Sequence, residues 1–317
     1  PPDVPATPVS AAAVRARLDA VPRGTLTDVG LFVADAVTGE VVYAEGGEPR
    51  TPASTLKLLS GLVALDVLGP ERTFPTRVVR GPGDQVVLVG GGDPLLASAR
   101  PTGYPGGASL EELAGATAAA LAASGVTAVS LGYDASLFGE PAWHPQWPES
   151  FRWSVAPVPA LTADHAQPNP ADPARAPDPS RFAADQFAAR LRSAGVTVAS
   201  VAPAAAPAGG ATLASVASLP VATIVEQSLR HSDNDAAETL VRHVALARGR
   251  PATFADAADV LASELQARDL WDDGMFISDG NGISSANRVT PAVLARAGGE
   301  PVGGEPARIG GAGRVGG

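Results

Sequence analysis

The sequence has no cysteine and a single methionine among its 317 residues. Without thiols there is no disulfide framework and no thiolate metal site. Aromatic residues are sparse, at 5%. Basic residues are outnumbered as well, 23 against 33 acidic ones, for a formal charge of -10. An acidic chain without clustered lysine and arginine argues against nucleic-acid binding, because phosphate needs a basic face. No apolar run reaches the roughly 18 residues that crossing a bilayer requires, so no transmembrane segment is expected. Residues 1–9 show neither the basic start nor the apolar core of a signal peptide. They read as a proline-rich spacer after a removed signal or anchor, or as an ordinary loose N-terminus.

What is present is enough for a large core: 45% of the residues are hydrophobic. Length alone suggests about two domains. The 35 glycines and 30 prolines are scattered among periodic apolar runs, which argues against disorder. Ser10–Ala20 reads as a helix with Ser10 as its cap. Two β-rich runs, Asp28–Asp35 and Glu40–Ala44, read as a hairpin. Thr76–Arg80 and Gln85–Val89 read as strands leading into a glycine-rich turn at Gly90–Pro94. A helix over Ser109–Ser124 opens on a capping box, Ser109 with Glu112. A strand at Val126–Gly132 follows. Later come a proline-rich linker at Pro168–Pro179, a helix over Ser180–Ser193 and a strand over Val196–Val201. The two helix–glycine–strand units suggest a separate α/β insert. Beyond it, helices are expected over Val221–Leu229, Ala236–Ala247 and Thr253–Ala267, with another starting at Asn287–Ala297.

The chemistry begins at Thr51-Pro-Ala-Ser-Thr-Leu-Lys57. Ser54 stands three residues before Lys57, at the head of a strongly apolar helical run. Residues three apart share a helix face. A serine is a poor nucleophile until a nearby base takes its proton, and a lysine in that position supplies one. A helix N-terminus also favours incoming negative charge. Taken alone, this is equally a plain buried helix. Ser232-Asp-Asn234 lies between two apolar helices, where helix capping alone explains such residues. In the aromatic-poor chain, Phe138, Trp143, His144 and Trp147 cluster. That cluster reads as a loop packed on the core or as the wall of a binding cleft. His231, beside Ser232, is read as structural.

Ser-x-x-Lys followed by Ser-x-Asn is the order found in penicillin-binding proteins and serine β-lactamases. Four stretches, Thr51–Lys57, Leu88–Pro94, Ser232–Glu238 and Ser278–Gly282, resemble the class C low-molecular-mass penicillin-binding proteins, the serine D-Ala-D-Ala carboxypeptidase/endopeptidase family. The resemblance runs from about Val29 to about Leu294. It implies an α+β fold: a transpeptidase domain, with an antiparallel sheet flanked by helices, interrupted by a large α/β insert. The corresponding division is 1–76 and 212–297 for the transpeptidase domain, 77–211 for the insert and 298–317 for a glycine-rich tail. It implies Ser54 as nucleophile, Lys57 as general base, Ser232 as proton relay and Asn234 as a contact to the substrate amide and Lys57. Trp147 is the candidate contact to a substrate side chain. The implied partners are peptidoglycan stem peptides and β-lactam antibiotics, on the extracytoplasmic side. No metal or organic cofactor is implied.

One part of the family pattern is not found. The family carries Lys-Thr-Gly on the strand bordering the site, and no lysine follows Lys57. The glycine content of 298–317 does not suit a core strand. The expectation is therefore a truncated or frame-shifted member lacking its C-terminal strands, weakly active or inactive. In the family that strand also supplies one donor of the oxyanion hole, and losing such a donor typically costs roughly 10²–10³ in rate. Two alternatives are a non-catalytic peptidoglycan- or penicillin-binding module and a serine β-lactamase.

Overall fold

The computed structural model describes residues 10–299, apart from 22, 23, 25–27, 37 and 104. Residues 300–317, and with them most of the tail and the expectation of missing C-terminal strands, lie outside the described residues. Among the described residues no helix is long and apolar enough to cross a membrane.

The chain opens with α1 (Ala11–Asp19), capped by the Ser10 hydroxyl, and the antiparallel pair β1 (Leu31–Ala34) and β2 (Val41–Glu45). Helix α2 (Leu56–Leu68) follows. It is apolar nearly all round, as suits a helix buried over most of its length. Strands β3 (Pro75–Arg80) and β4 (Gln85–Val89) then start a second sheet. Helix α3 (Leu110–Ala123) leads to β5 (Ala128–Asp134), and α4 (Pro179–Ser193) to β6 (Thr197–Pro203). Strand β7 (Thr212–Ala217) closes that sheet, in the order β6-β5-β4-β3-β7.

The second sheet is mixed. β3 runs antiparallel to β4 and β7, whereas β4, β5 and β6 are parallel. Parallel neighbours need a crossover, and α3 and α4 supply it. Gly125 and Gly195, at φ +70° and +88°, end the two helices in the left-handed conformation that stops a helix. The similar outline of the two units in the sequence thus corresponds to two successive crossovers. Leu88, Leu113, Leu131, Phe187 and Leu191 fill the core between sheet and helices. The pairing of β3 with β7 carries the sheet from Pro75 to Ala217, slightly wider than the expected insert of 77–211.

Four helices complete the chain: α5 (Val221–His231), α6 (Asn234–Ala247), α7 (Phe254–Gln266) and α8 (Pro291–Gly299). Together they enclose α2 in a second core that includes Leu59, Val63, Ile224, Leu240, Leu261 and Val293. The stretch between β5 and α4 does not stay with its own sheet. It returns to the helical half, where Trp147, Val155 and Val158 pack against Phe254 of α7.

Candidate active site

Ser54 lies not on the first turn of α2 but on a single 3-10 turn, Ala53–Thr55, directly before it. Ala53 has φ +48°, a left-handed conformation uncommon for a residue with a Cβ. Its carbonyl leaves no room opposite: a Cβ on Gly282 would stand 1.9 Å from the Ala53 oxygen. Gly282 itself has φ +87°, so glycine is required there twice over. The strained turn presents Ser54 at the surface, while Lys57 behind it is only 2% exposed.

An ammonium has three hydrogens to place. Lys57 Nζ donates to Ser54 Oγ at 3.1 Å, Asn234 Oδ1 at 2.7 Å and the Asn281 carbonyl at 2.8 Å. All three acceptors are neutral. Burial lowers the Lys57 pKa to about 8, against the opposing pull of Asp233, Asp279, Glu238 and Asp235. A lysine titrating near 8 has a substantial neutral fraction close to physiological pH, as a general base must. It is also the only lysine in the chain.

The Asn281 carbonyl belongs to a turn, Asp279–Gly282, that is held from every side. Asp279 Oδ1 accepts from the Gly282 N–H and Asn287 Nδ2, and its Oδ2 from the Ser284 N–H and Trp147 Nε1. Ser60 Oγ donates to the Gly280 carbonyl at 2.6 Å, and the Gly280 N–H donates to Glu238 Oε2 at 2.8 Å. Lys57 and Ser60 share one face of α2, so a single helix face grips two successive carbonyls of the turn. Glu238 is completely buried. Burial, then the charge of Asp279, raise its pKa to about 8.

Asn234 opens α6, with Asp233 as its cap: Asp233 Oδ1 accepts from the Ala236 N–H at 3.0 Å. Both ends of the Asn234 amide are used, Oδ1 by Lys57 and Nδ2 by the Ser154 carbonyl at 3.0 Å. This fixes which end faces the lysine. Ser54, Lys57 and Asn234 are therefore in direct contact. Ser232 is not in that contact. It is the left-handed C-cap of α5, at φ +54°, and its exposed hydroxyl has no hydrogen bond among the described residues. His231 ends α5 at the surface and has no hydrogen bond to any of the three.

Trp147 was expected to meet substrate. It is 4% exposed, its indole N–H is given to Asp279 at 2.8 Å, and Trp143, His144 and Phe254 surround its ring. That burial is at odds with a substrate contact; the indole instead supports the turn beneath Lys57. Ser278–Gly282 and Ser232–Glu238 both carry the family resemblance, but the sequence assigns no task to the Asp279–Gly282 turn or to Glu238. The compact Asp-Gly-Asn-Gly pattern was the available signal for the turn. One further group, His165 with Asp233 and Asp235, brings metal-ligating atoms within 4.8 Å of one another. There burial disfavours the charged imidazole, but the two carboxylates outweigh it and raise the histidine pKa to about 9, so the imidazolium is itself the cation of the group.

A family profile described as D-Ala-D-Ala carboxypeptidase 3 (S13) matches residues 11–171 and 163–297. A carboxypeptidase of Mycobacterium tuberculosis is 36% identical over 306 residues, covering 92% of this chain and 64% of that protein. Carboxypeptidase DacB of Mycolicibacterium smegmatis is 32% identical over 282 residues, covering 84% of this chain and 60% of that protein. The chain thus spans a little under two thirds of the length of these relatives. In fold it is similar to penicillin binding protein 4 from Haemophilus influenzae, with a TM-score of 0.70 at 18% identity over 92% of this chain and 77% of that one. With the profile matched over most of its length, the chain belongs to the D-Ala-D-Ala carboxypeptidase 3 (S13) family.

Proposed function

We propose that the chain is a serine D-Ala-D-Ala carboxypeptidase or endopeptidase acting on peptidoglycan stem peptides. The observation that carries this reading is the buried Lys57, held by neutral acceptors with its Nζ 3.1 Å from the exposed Ser54 hydroxyl. Neutral Lys57 takes the Ser54 proton as Oγ attacks the carbonyl carbon of the scissile amide. The tetrahedral intermediate collapses, the C–N bond breaks and an acyl-enzyme remains on Ser54. The departing amine needs a proton, and the unpartnered Ser232 hydroxyl, free to rotate, is the candidate relay from Lys57. Asn234 keeps Lys57 in place and offers the second hydrogen of its Nδ2, the one not given to the Ser154 carbonyl, to the substrate backbone. Water then repeats the sequence in reverse and frees the serine. A penicillin acylates the same oxygen, because its strained amide stands in for the D-Ala-D-Ala bond. This substrate places the protein on the extracytoplasmic side. On this reading 1–76 and 212–297 form the catalytic domain and 77–211 the insert.

The test is incubation with a fluorescent penicillin, followed by a denaturing gel. A covalent band that vanishes in Ser54→Ala supports the enzyme. No band, with binding to peptidoglycan retained, points instead to a non-catalytic module.

A further inference from the structure

One ionic group close to the reacting residues has no part in the chemistry above. His165 comes from the long stretch between β5 and α4. It is the centre of Asp164-His165-Ala166, three consecutive residues with left-handed backbone, φ 49°, 51° and 54°. Non-glycine residues adopt this conformation seldom, and a run of them persists only where surrounding contacts over-determine it. Those contacts are present. Asp164 Oδ1 accepts from the Ser98 N–H at 3.0 Å, the Asp164 N–H donates to the Leu96 carbonyl at 2.9 Å, and Arg175 Nη1 donates to the His165 carbonyl at 2.6 Å.

The strained turn delivers the imidazole to the Ser232–Asp235 segment. His165 Nδ1 lies 3.8 Å from Asp233 Oδ2 and 3.7 Å from Asp235 Oδ2. Each aspartate has its other oxygen committed to backbone. Asp233 Oδ1 caps α6, and Asp235 Oδ1 accepts from the Ala156 N–H at 2.9 Å, next to the Ser154 carbonyl that receives Asn234. The two aspartates bracket Asn234, whose Oδ1 accepts a hydrogen bond from Lys57.

We propose that His165 is a positioning residue for acylation. Its imidazolium ties Asp233 and Asp235 to the inserted stretch and so fixes Asn234 against Lys57. The proposal rests on the serine–lysine reading of the site. It also has an electrostatic arm. Asp233 and Asp235 both pull the Lys57 pKa up, and a cation between them offsets part of that pull. The charged and titratable groups around the imidazole are Asp233 and Asp235 on the α5–α6 junction, Asp93 on the Gly90–Pro94 turn, and Arg175 on the neighbouring loop. Asp164 and His231 line the same pocket, of about 310 Å³. Carboxylates predominate, so the imidazole is retained as a cation.

The test compares the pH dependence of Ser54 acylation by a fluorescent penicillin in the native chain, His165→Gln and His165→Lys. Removing the cation should lower the rate at pH 7 about tenfold, the effect of a one-unit rise in the Lys57 pKa, and should move the acid limb to higher pH. His165→Lys restores a cation and should recover part of the rate and bring the limb back. Equal losses in both folded variants with an unmoved acid limb would make the role merely structural and overturn the proposal, as would native behaviour in His165→Gln. If His165→Gln does not fold, His165→Asn takes its place as the neutral variant: a lowered rate with the limb moved to higher pH supports the proposal, and native behaviour or a loss with an unmoved limb overturns it. A native chain that forms no Ser54-dependent adduct is a different failure, that of the serine–lysine reading itself.

Discussion

Two cations, buried Lys57 and half-buried His165, flank the Ser232–Asp235 segment, and their proton affinities move in opposite directions. Lys57 falls to about 8, whereas His165 rises to about 9. Both are desolvated, and both feel Asp233 and Asp235. The difference is in what touches them. Every hydrogen-bond acceptor on Lys57 is neutral: a hydroxyl, an amide and a peptide carbonyl. The carboxylates act on it only from further away, so burial dominates. His165 has two carboxylate oxygens within 3.8 Å, and they outweigh burial. Neutral acceptors can hold an amine firmly without fixing its proton, which is what a base requires. Charged acceptors fix the proton, which is what a clamp requires.

The largest effect is expected at Lys57. Lys57→Ala should cut the acylation rate by about 10²–10⁴, the usual loss for a general base, as measured by adduct formation over time. Asn234→Asp makes the lysine resemble the histidine, by placing a carboxylate where a neutral oxygen stands at 2.7 Å. An opposite charge that close favours the protonated form by about 1–3 pKa units. The rate at pH 7 should then fall about tenfold or more and recover as pH rises, a recovery that simple loss of the amide would not give.

Two smaller changes probe the turn that supplies the third acceptor. Gly282→Ala meets both the positive φ and the Ala53 carbonyl. It should cost about 1–3 kcal/mol from backbone strain alone, with more from the clash, as a lowered melting temperature. Trp147→Phe keeps the ring but withdraws the N–H from buried Asp279. A cost of about 1–3 kcal/mol is expected for the lost partner, read by the same melt. The smallest effect is a pH trend. The His165 pKa is higher in the folded chain than its ordinary 6.5, so the stability this clamp gives is complete below about 6.5 and is lost as pH rises through about 9. Native and His165→Gln melting temperatures should converge over that window.

Local features of the fold were legible in the sequence. The apolar run of α2, the capping box at Ser109 and the glycines ending α3 and α4 each signal within a few residues. The spacing of Ser54 and Lys57 was readable for the same reason, and the contact to Asn234 followed from the order of motifs rather than from any local signal. What stayed hidden depends on distant partners. Glu238 looks like an ordinary helix residue until the Gly280 N–H meets it. Trp147 stood in a cluster that suited a cleft wall as well as a packed loop, and only its bond to Asp279 separates the two. His165 lay beside a proline-rich stretch with no periodicity, and nothing near it announces a left-handed turn. Ala53 likewise carries no mark of its positive φ in the residues around it.

The most direct measurement is the pH dependence of Ser54 acylation in the native chain, from about pH 6 to 9, with a fluorescent penicillin in excess. The expected result is a rate that climbs with a midpoint near 8, as buried Lys57 gives up its proton. A rate still rising toward 10.5, the ordinary lysine value, or one that does not change with pH, would contradict a neutral lysine held by neutral acceptors as the base.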